Sequence, residues 1–157
     1  MSREKRSALM ARIRGRNTAP ELTVRRLLHA MGYRFRLHAG ELPGKPDIVF
    51  RSRRIAVFVH GCFWHRHDCG LAYFPKTRRE FWQRKFEGNV VRDRRTKHEL
   101  EAAGWHVVVV WECQLSDLAP LARSLAKELG RPGLTGEASS AQRSASEIRV
   151  RAKSARQ

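Results

Sequence analysis

Two short runs of apolar residues constrain the fold of this chain more than any other part of its sequence. Residues 55–59 are Ile-Ala-Val-Phe-Val, and four consecutive valines stand at 107–110. Continuous apolar runs of this length, rich in β-branched side chains, are typical of strands that are buried on both faces of a sheet. Such a sheet needs helices over both faces, so the two runs favour an α/β fold.

A helix and two further strands are predicted before the first run. Thr18 and Glu21 have the spacing of a capping box at the start of a helix, which Gly32 ends. Apolar and basic residues alternate over 33–38, which predicts a half-buried strand. Residues 47–50 predict another strand, which a short basic turn joins to the first apolar run as a hairpin.

The remaining elements follow that hairpin. Residues 60–76 have no regular pattern and predict a long irregular loop, which in a compact domain is usually functional. Helical spacing predicts a helix over 77–103 with an interruption at Gly88 and a closing helix over 115–129, with a buried strand over 105–111 between them. The order α-β-β-β-α-β-α predicts a mixed sheet flanked by helices.

The length of 157 residues favours a single domain. We assign this domain to 1–134, including a basic N-terminal arm over 1–17. The composition changes over 135–157, where Ile148 and Val150 are the only large aliphatic residues. A segment with so little apolar surface is expected to form a basic, disordered tail.

The charge of the chain indicates a polyanionic partner. Lys and Arg total 32 against 15 Asp and Glu, which gives a formal net charge of +17. Nucleic acid is the usual partner of such a protein, although a basic protein that merely associates with ribosomes is the alternative. The sequence contains neither a membrane-spanning apolar stretch nor a secretory signal. We therefore expect a soluble protein of the cytoplasm, associated with the nucleoid and not with a membrane.

All three cysteines fit one metal site. Cys62, His67 and Cys69 lie close together in the predicted loop, and Cys113 follows the 105–111 strand, which can bring it alongside. Zinc takes four such ligands in a tetrahedron, so the spacing favours a structural zinc site. The alternative is three ordinary buried thiols with surface histidines.

Three further residues have side chains suited to catalysis. His60 and His65 are histidines outside the zinc spacing, and a histidine can act as a general base near neutral pH. Either could instead be a replacement zinc ligand or a capping side chain. Asp47 begins a strand, where a carboxylate can hold Mg²⁺ against a phosphate. By itself it is better explained as a turn-favouring Asp after a proline.

Aromatic residues alternate with cations around the loop. Phe63 and Trp64 lie in the loop, and Phe81 and Trp82 lie in the first turns of the helix after it. Tryptophans beside cations suit stacking on bases or wedging between base pairs, although Phe81 and Trp82 could simply pack the helix onto the sheet. We expect Phe81 in the core, with Trp64 and Trp82 exposed. The surrounding cations are Arg66, Lys76, Arg78, Arg79, Arg84 and Lys85.

Several separated motifs together resemble the very short patch repair DNA mismatch endonucleases. They are VHGCFWHRHDC at 59–69, TRREFW at 77–82, NVVRDRR at 89–95 and VWEC at 110–113, with MARIR at 10–14 and NTAPE at 17–21 upstream. The resemblance runs in the same order from about residue 3 to residue 115.

The resemblance implies a fold like that of the type II restriction endonucleases and a specific activity. The enzyme would nick duplex DNA on the 5′ side of the T in a T:G mismatch that arises from deamination of 5-methylcytosine, leaving a 5′-phosphate. Mismatch-repair proteins and a cytosine methyltransferase would be its functional partners, and a monomer would suffice. The alternatives are a zinc-containing DNA-binding module without catalysis and a restriction-type endonuclease that cuts both strands of a matched site.

The resemblance also implies roles for individual residues. Asp47 and the backbone carbonyl of Val59 would hold Mg²⁺, and His65 would be the general base. His60 would touch the phosphate or position water, Asp93 would orient a histidine, and Glu21 would lie close to the metal-bound water. The implied structural zinc ligands are Cys62, His67, Cys69 and Cys113, and the implied DNA contacts are Phe63, Trp64, Trp82, Lys85, Asn89 and Arg14.

Overall fold

A four-stranded mixed sheet forms the centre of the computed structural model, which describes residues 15–133. The strands are β1 (Arg36–Leu37), β2 (Ile48–Phe50), β3 (Ile55–His60) and β4 (His106–Trp111), and they lie side by side in that order. β1, β2 and β3 pair antiparallel, whereas β3 and β4 pair parallel. The predicted hairpin and the mixed sheet are thus confirmed.

Four helices and one 3₁₀ turn accompany the sheet. They are α1 (Ala19–Ala30), α2 (Cys62–His65), α3 (Arg79–Ala102), the 3₁₀ turn (Glu112–Ser116) and α4 (Leu118–Leu129). The order of the main elements is the predicted one. Arg14, the rest of the arm before residue 15 and the tail over 135–157 lie outside the described residues.

Alternate side chains of β3 enter two separate cores. Ile55 and Val57 pack with α1 and α4 on one face of the sheet, and Ala56 and Phe58 pack with Leu100 of α3 on the other. The first apolar run is therefore buried on both faces, as its composition predicts.

The second apolar run is buried on one face only, so the prediction of a fully buried strand over 105–111 is wrong. Val108 and Val110 are buried in the core under α1 and α4, whereas Val107 and Val109 face a cleft between the sheet and α3. β4 is an edge strand. α3 covers the Ala56–Phe58 face of β3 but leaves the same face of β4, with Val107 and Val109, partly open.

Only two residues of the predicted 33–38 strand pair with the sheet. The main-chain N–H of Tyr33 donates to the carbonyl of Leu28 and so closes α1. The Tyr33 side chain is buried in the core, and its hydroxyl donates to the carbonyl of Gly130. The first half of the segment packs against the end of α1, and only the second half extends the sheet.

Three other predictions about the helices need correction. α3 runs without an interruption at Gly88, because one exposed glycine weakens a helix by only about 1 kcal/mol. The loop over 60–76 contains the short helix α2. The closing helix begins at Leu118, where Asp117 caps it by accepting from the N–H of Ala119. Within residues 15–133, no helix combines the length and apolar character that a membrane crossing requires.

The turn before β2 is fixed tightly to α3. Gly44 has a φ of +70°, and a Cβ at this position would overlap Cγ2 of Thr96. Only glycine tolerates both the backbone angle and this approach. The contact sets the distance between the start of β2 and the middle of α3.

Candidate functional site

A cleft of about 940 Å³ opens at the carboxyl ends of β3 and β4. These strands are parallel and His60 pairs with Trp111, so both strands end at the same edge of the sheet. α1, the turn before β2, α2 and α3 supply the other walls. All five predicted catalytic residues line this cleft, together with the predicted metal ligand Val59: they are Glu21, Asp47, His60, His65 and Asp93.

Asp47 is held in the cleft by the hairpin. Its Oδ2 accepts a hydrogen bond of 2.8 Å from the main-chain N–H of Val59. Burial raises the pKa of Asp47 from 3.8 to about 6, which the Val59 hydrogen bond opposes and the nearby Glu21 charge increases. A buried carboxylate of this kind is stabilised in its charged form by a divalent cation. The surroundings of Asp47 therefore fit a magnesium ligand better than a simple turn residue.

Glu21 both caps α1 and faces the cleft. The predicted N-cap is confirmed: Thr18 Oγ1 accepts from the N–H of Glu21. The Glu21 carboxylate accepts from the N–H of Asn17 at 2.8 Å and from Thr18 Oγ1 at 3.1 Å. Ligand atoms of Glu21, Asp47 and His38 lie within 4.8 Å of one another, so the capping carboxylate also belongs to a group that could bind a metal.

Arg25 and His38 were missed by sequence reasoning. Nη2 of Arg25 donates to Glu21 at 3.0 Å and to Nε2 of His38 at 3.1 Å, and Nη1 donates to Asn17 at 2.7 Å. Arg25 is only 8% exposed. The available signal was its position four residues after Glu21 on a helix, where a salt bridge forms. Nothing in the sequence indicated the contact with His38.

A second cluster combines His60, His65 and Asp93. Nδ1 of His65 donates to Oδ2 of Asp93 at 2.6 Å, and the rings of His60 and His65 stack with centroids 3.9 Å apart. Burial, helped by the nearby His65, lowers the pKa of His60 to about 4, so His60 is neutral at pH 7. With its Nδ1 proton held by Asp93, a neutral His65 presents Nε2 as a proton acceptor.

The four predicted zinc ligands come together between α2 and the 3₁₀ turn after β4. One ligand atom from each of Cys62, His67, Cys69 and Cys113 lies within 4.8 Å of the others. Nδ1 of His67 is 3.8 Å from Sγ of Cys62 and 3.4 Å from Sγ of Cys113. Three thiols and one imidazole at such spacings fit a tetrahedral zinc ion. Ordinary separate buried thiols would not need to converge in this way.

Aromatic side chains of α2 and α3 pack together beside the cleft. The Phe63 ring lies 5.0 Å from Trp64 and 5.6 Å from Trp82 between centroids. The expected core residue Phe81 is 40% exposed, and Phe86 is buried in its place at 2%. That prediction is wrong because Phe86, five residues further on, occupies the helix face that contacts Phe63. Trp64 and Trp82 are half-buried, not fully exposed as expected.

Two predicted DNA contacts on α3 touch the same aromatic group. The ammonium of Lys85 lies 5.3 Å from the centroid of Trp64. Nδ2 of Asn89 donates to the carbonyl of Trp64 at 2.9 Å. These contacts hold α2 on α3 and place a cation beside the tryptophan.

Comparisons with known proteins agree on one family. The family model described as DNA mismatch endonuclease Vsr matches residues 1–71. The chain is 43% identical to the DNA mismatch endonuclease Vsr of Escherichia coli K12 over 137 residues, which are 87% of this chain and 88% of that protein. It is 55% identical to the type II nicking enzyme V.XorIIP of Xanthomonas oryzae over 77% of this chain and 89% of that protein. It is 43% identical to the type II nicking enzyme V.NmeAIP of Neisseria meningitidis over 73% and 82%, respectively.

Proposed function

The chain belongs to the DNA mismatch endonuclease Vsr family and is an endonuclease that acts on DNA, and we propose that it nicks duplex DNA on the 5′ side of the T in a T:G mismatch. Such mismatches arise when 5-methylcytosine deaminates, so the nick would initiate very short patch repair. The observation that carries the proposal is that Asp47 and the His65–Asp93 pair line the same cleft.

Asp47 and the backbone carbonyl of Val59 would hold Mg²⁺. When bound, the ion supplies positive charge beside the scissile phosphate. Val59 suits this role because its N–H already binds Asp47, so the two groups are held together. Whatever the side chain at this position, the main-chain oxygen is present.

His65 would take the proton of the attacking water at Nε2. Asp93 would stabilise the imidazolium that results, through the bond to Nδ1. The oxygen of water bonds to phosphorus while the bond from phosphorus to the 3′ oxygen breaks. The 3′ oxygen leaves as an oxyanion and takes a proton from solvent, so the products are a 5′-phosphate and a 3′-hydroxyl. Neutral His60 would contact the phosphate or position water, and Glu21 would lie close to the water at the metal site.

The aromatic residues would select the mismatch. Phe63, Trp64 and Trp82 form one packed group beside the cleft, and Lys85 adds a positive charge to it. Inserting aromatic side chains between base pairs separates them, which requires less energy at a weakly stacked wobble pair. Asn89 would contact DNA from the same side, and Arg14 would do so from the N-terminal arm.

Zinc would keep this arrangement in place. Cys62 begins α2 and Cys113 follows β4, so an ion bound to both would tie the aromatic helix to the sheet. We assign the bound metal as structural because four protein ligands would complete its coordination. The fold would be that of the restriction endonucleases, acting as a monomer.

A DNA-binding module without catalysis would not require either cluster in the cleft. A restriction-type enzyme would cut both strands, whereas the relatives named above include nicking enzymes. Functional links to mismatch-repair proteins and a cytosine methyltransferase follow from the proposed substrate.

A strand-resolved cleavage assay tests the proposal. Purified protein and Mg²⁺ would be incubated with duplexes that carry T:G or T:A at one position, in several cytosine-methylation contexts. We expect a nick in the T strand of the mismatch only, and none with an Asp47→Ala protein purified in parallel. Cutting of both strands at T:A would favour a restriction enzyme, and binding without cutting in every context would contradict the proposed activity.

A further inference from the structure

Tyr73 extends the aromatic group toward solvent. Its ring lies 4.9 Å from that of Phe63 between centroids, with the planes tilted by 36°. It is 66% exposed, and its neighbour in the loop, Leu71, is 49% exposed. Phe81, which is 40% exposed, connects to Phe63 through Trp82, whose ring lies 5.3 Å from Phe81 and 5.6 Å from Phe63 between centroids. We call Phe63, Tyr73 and Phe81 the outer rim.

The backbone that carries Tyr73 is held firmly. Nη1 of Arg66 donates to the carbonyl of Ala72 at 2.8 Å and to that of Tyr73 at 3.1 Å. The Arg66 guanidinium lies over the buried Phe86 ring at 4.8 Å, and Phe74 packs on the same ring at 5.8 Å. Contacts on both sides of Tyr73 therefore fix its position while leaving its ring exposed. A ring displayed in this way loses little conformational entropy when it binds a ligand.

Two cations lie beside the Phe81 ring of the outer rim. The guanidinium of Arg78 lies 4.5 Å from the centroid of Phe81, and the ammonium of Lys85 lies 5.9 Å from it. Exposed aromatic faces among positive charges match the alternation of bases and phosphates in a nucleic-acid strand. The rim is also continuous with Trp64 and Trp82 through Phe63. We therefore expect the outer rim to bind the same DNA duplex that Trp64 and Trp82 would contact.

We propose that Tyr73 is a further DNA-contacting residue that sets affinity for the mismatched duplex. Its ring packs against the strand beside the point where Phe63 enters, and its hydroxyl donates a hydrogen bond to a phosphate oxygen. This inference rests on the proposed function, because the contact forms when the aromatic group enters a mismatch. It assigns to the loop after the zinc ligands a binding role in addition to a structural one.

Binding to short T:G and T:A duplexes, measured without added Mg²⁺, tests the inference. Tyr73→Ala should weaken T:G binding about tenfold, since removal of one stacking ring has an effect of this size. Tyr73→Phe keeps the ring and should weaken it about threefold, through the lost hydrogen bond. Leu71→Ala is the matched control, exposed in the same loop, and should change affinity less than about twofold. Each variant is compared only if its zinc content and melting temperature match those of the wild type.

Two results would overturn the inference. One is equal T:G affinity of the Tyr73→Ala and Leu71→Ala proteins. The other is an equal loss on T:G and T:A duplexes, because it would place the contact away from the mismatch. Its failure is separable from failure of the proposed function: a wild-type protein that nicks T:G duplexes while Tyr73→Ala has no effect leaves the function intact.

Discussion

The carboxylate of Asp93 lies 2.6 Å from Nδ1 of His65, although the two residues are on different helices and 28 positions apart. This bond fixes one tautomer of the histidine, which lines the cleft, and leaves the other ring nitrogen as the acceptor. Asp93→Asn offers an amide in place of the carboxylate, which cannot stabilise a protonated His65. We expect the single-turnover nicking rate to fall by about 100-fold or more.

The control for Asp93→Asn is DNA binding, which should stay within about twofold because Asp93 is proposed to act through His65. Arg92→Ala, on the adjacent position of α3, provides a matched variant that leaves the histidine bond in place. A nicking rate for Asp93→Asn within about threefold of the wild type would contradict a role for the pair in proton transfer.

Substitutions of Asp47 and Trp64 should have different effects, the first on cutting and the second on mismatch binding. Asp47→Ala removes a proposed metal ligand and should abolish cutting while sparing binding to T:G duplexes. Trp64→Ala should reduce the ratio of T:G to T:A affinity by more than Asp47→Ala does, because a stacking contact is worth about 1–3 kcal/mol. Affinities and nicking rates of both variants on both duplexes check this. The same loss of binding in the two proteins would refute the division.

Asp47 should destabilise the metal-free protein at neutral pH. Folding raises the pKa of Asp47 from 3.8 to about 6, so the folded state binds this proton more tightly than the unfolded state does. The resulting stability is fully present below about pH 4 and is lost as the pH rises through about 6. Asp47→Asn removes the buried charge and should raise the free energy of unfolding at pH 7.5 by about 1–3 kcal/mol.

Denaturant unfolding at two pH values tests the effect of Asp47. The gain from Asp47→Asn should disappear at pH 4, where the native carboxyl is already protonated. Added Mg²⁺ should stabilise the wild type at pH 7.5 more than the variant. A gain of equal size at both pH values would show that the charge of Asp47 is not its cause.

Removal of the metal should free α2 from the sheet and lower the melting temperature of the protein. We expect one zinc ion per chain, measured by elemental analysis, and its loss in Cys113→Ser. The variant should melt at a lower temperature, and a chelator should lower the melting temperature of the wild type but not that of the variant. A wild type without zinc, and equally stable with the chelator, would contradict the assignment.

The turn before β2 provides a test of positioning. Gly44→Ala introduces a Cβ against Thr96 and a side chain at a φ of +70°. We expect a loss of about 1–3 kcal/mol in the free energy of unfolding. Combining it with Thr96→Ala should recover part of this loss, since only the collision is relieved. No recovery in the double variant would show that the backbone angle accounts for the whole effect.

Local patterns in the sequence predicted the parts of this molecule that depend on local interactions. The capping residues of α1, the two-sided burial of β3 and the four convergent ligands at Cys62, His67, Cys69 and Cys113 follow from spacing and residue type. The site roles beyond those ligands rested on the family motifs.

Features that depend on tertiary packing were not predicted. The open face of β4 results from its place at the edge of the sheet, which periodicity does not encode. Phe86 is buried and Phe81 is exposed because the register of α3 against α2 decides which ring faces the interior. The link from Arg25 to His38 joins a helix to a strand end and depends on where the chain folds back.

The parallel pairing of β3 with β4 has a consequence for synthesis. β4 spans His106–Trp111, so the edge of the sheet that carries the cleft is completed only after most of the chain has been made. A nascent chain that ends before β4 already contains Asp47, His60, His65 and Asp93, yet it lacks the neighbouring strand and Cys113. The proposed site is therefore completed late in synthesis, and we expect chains that end before β4 to leave DNA uncut.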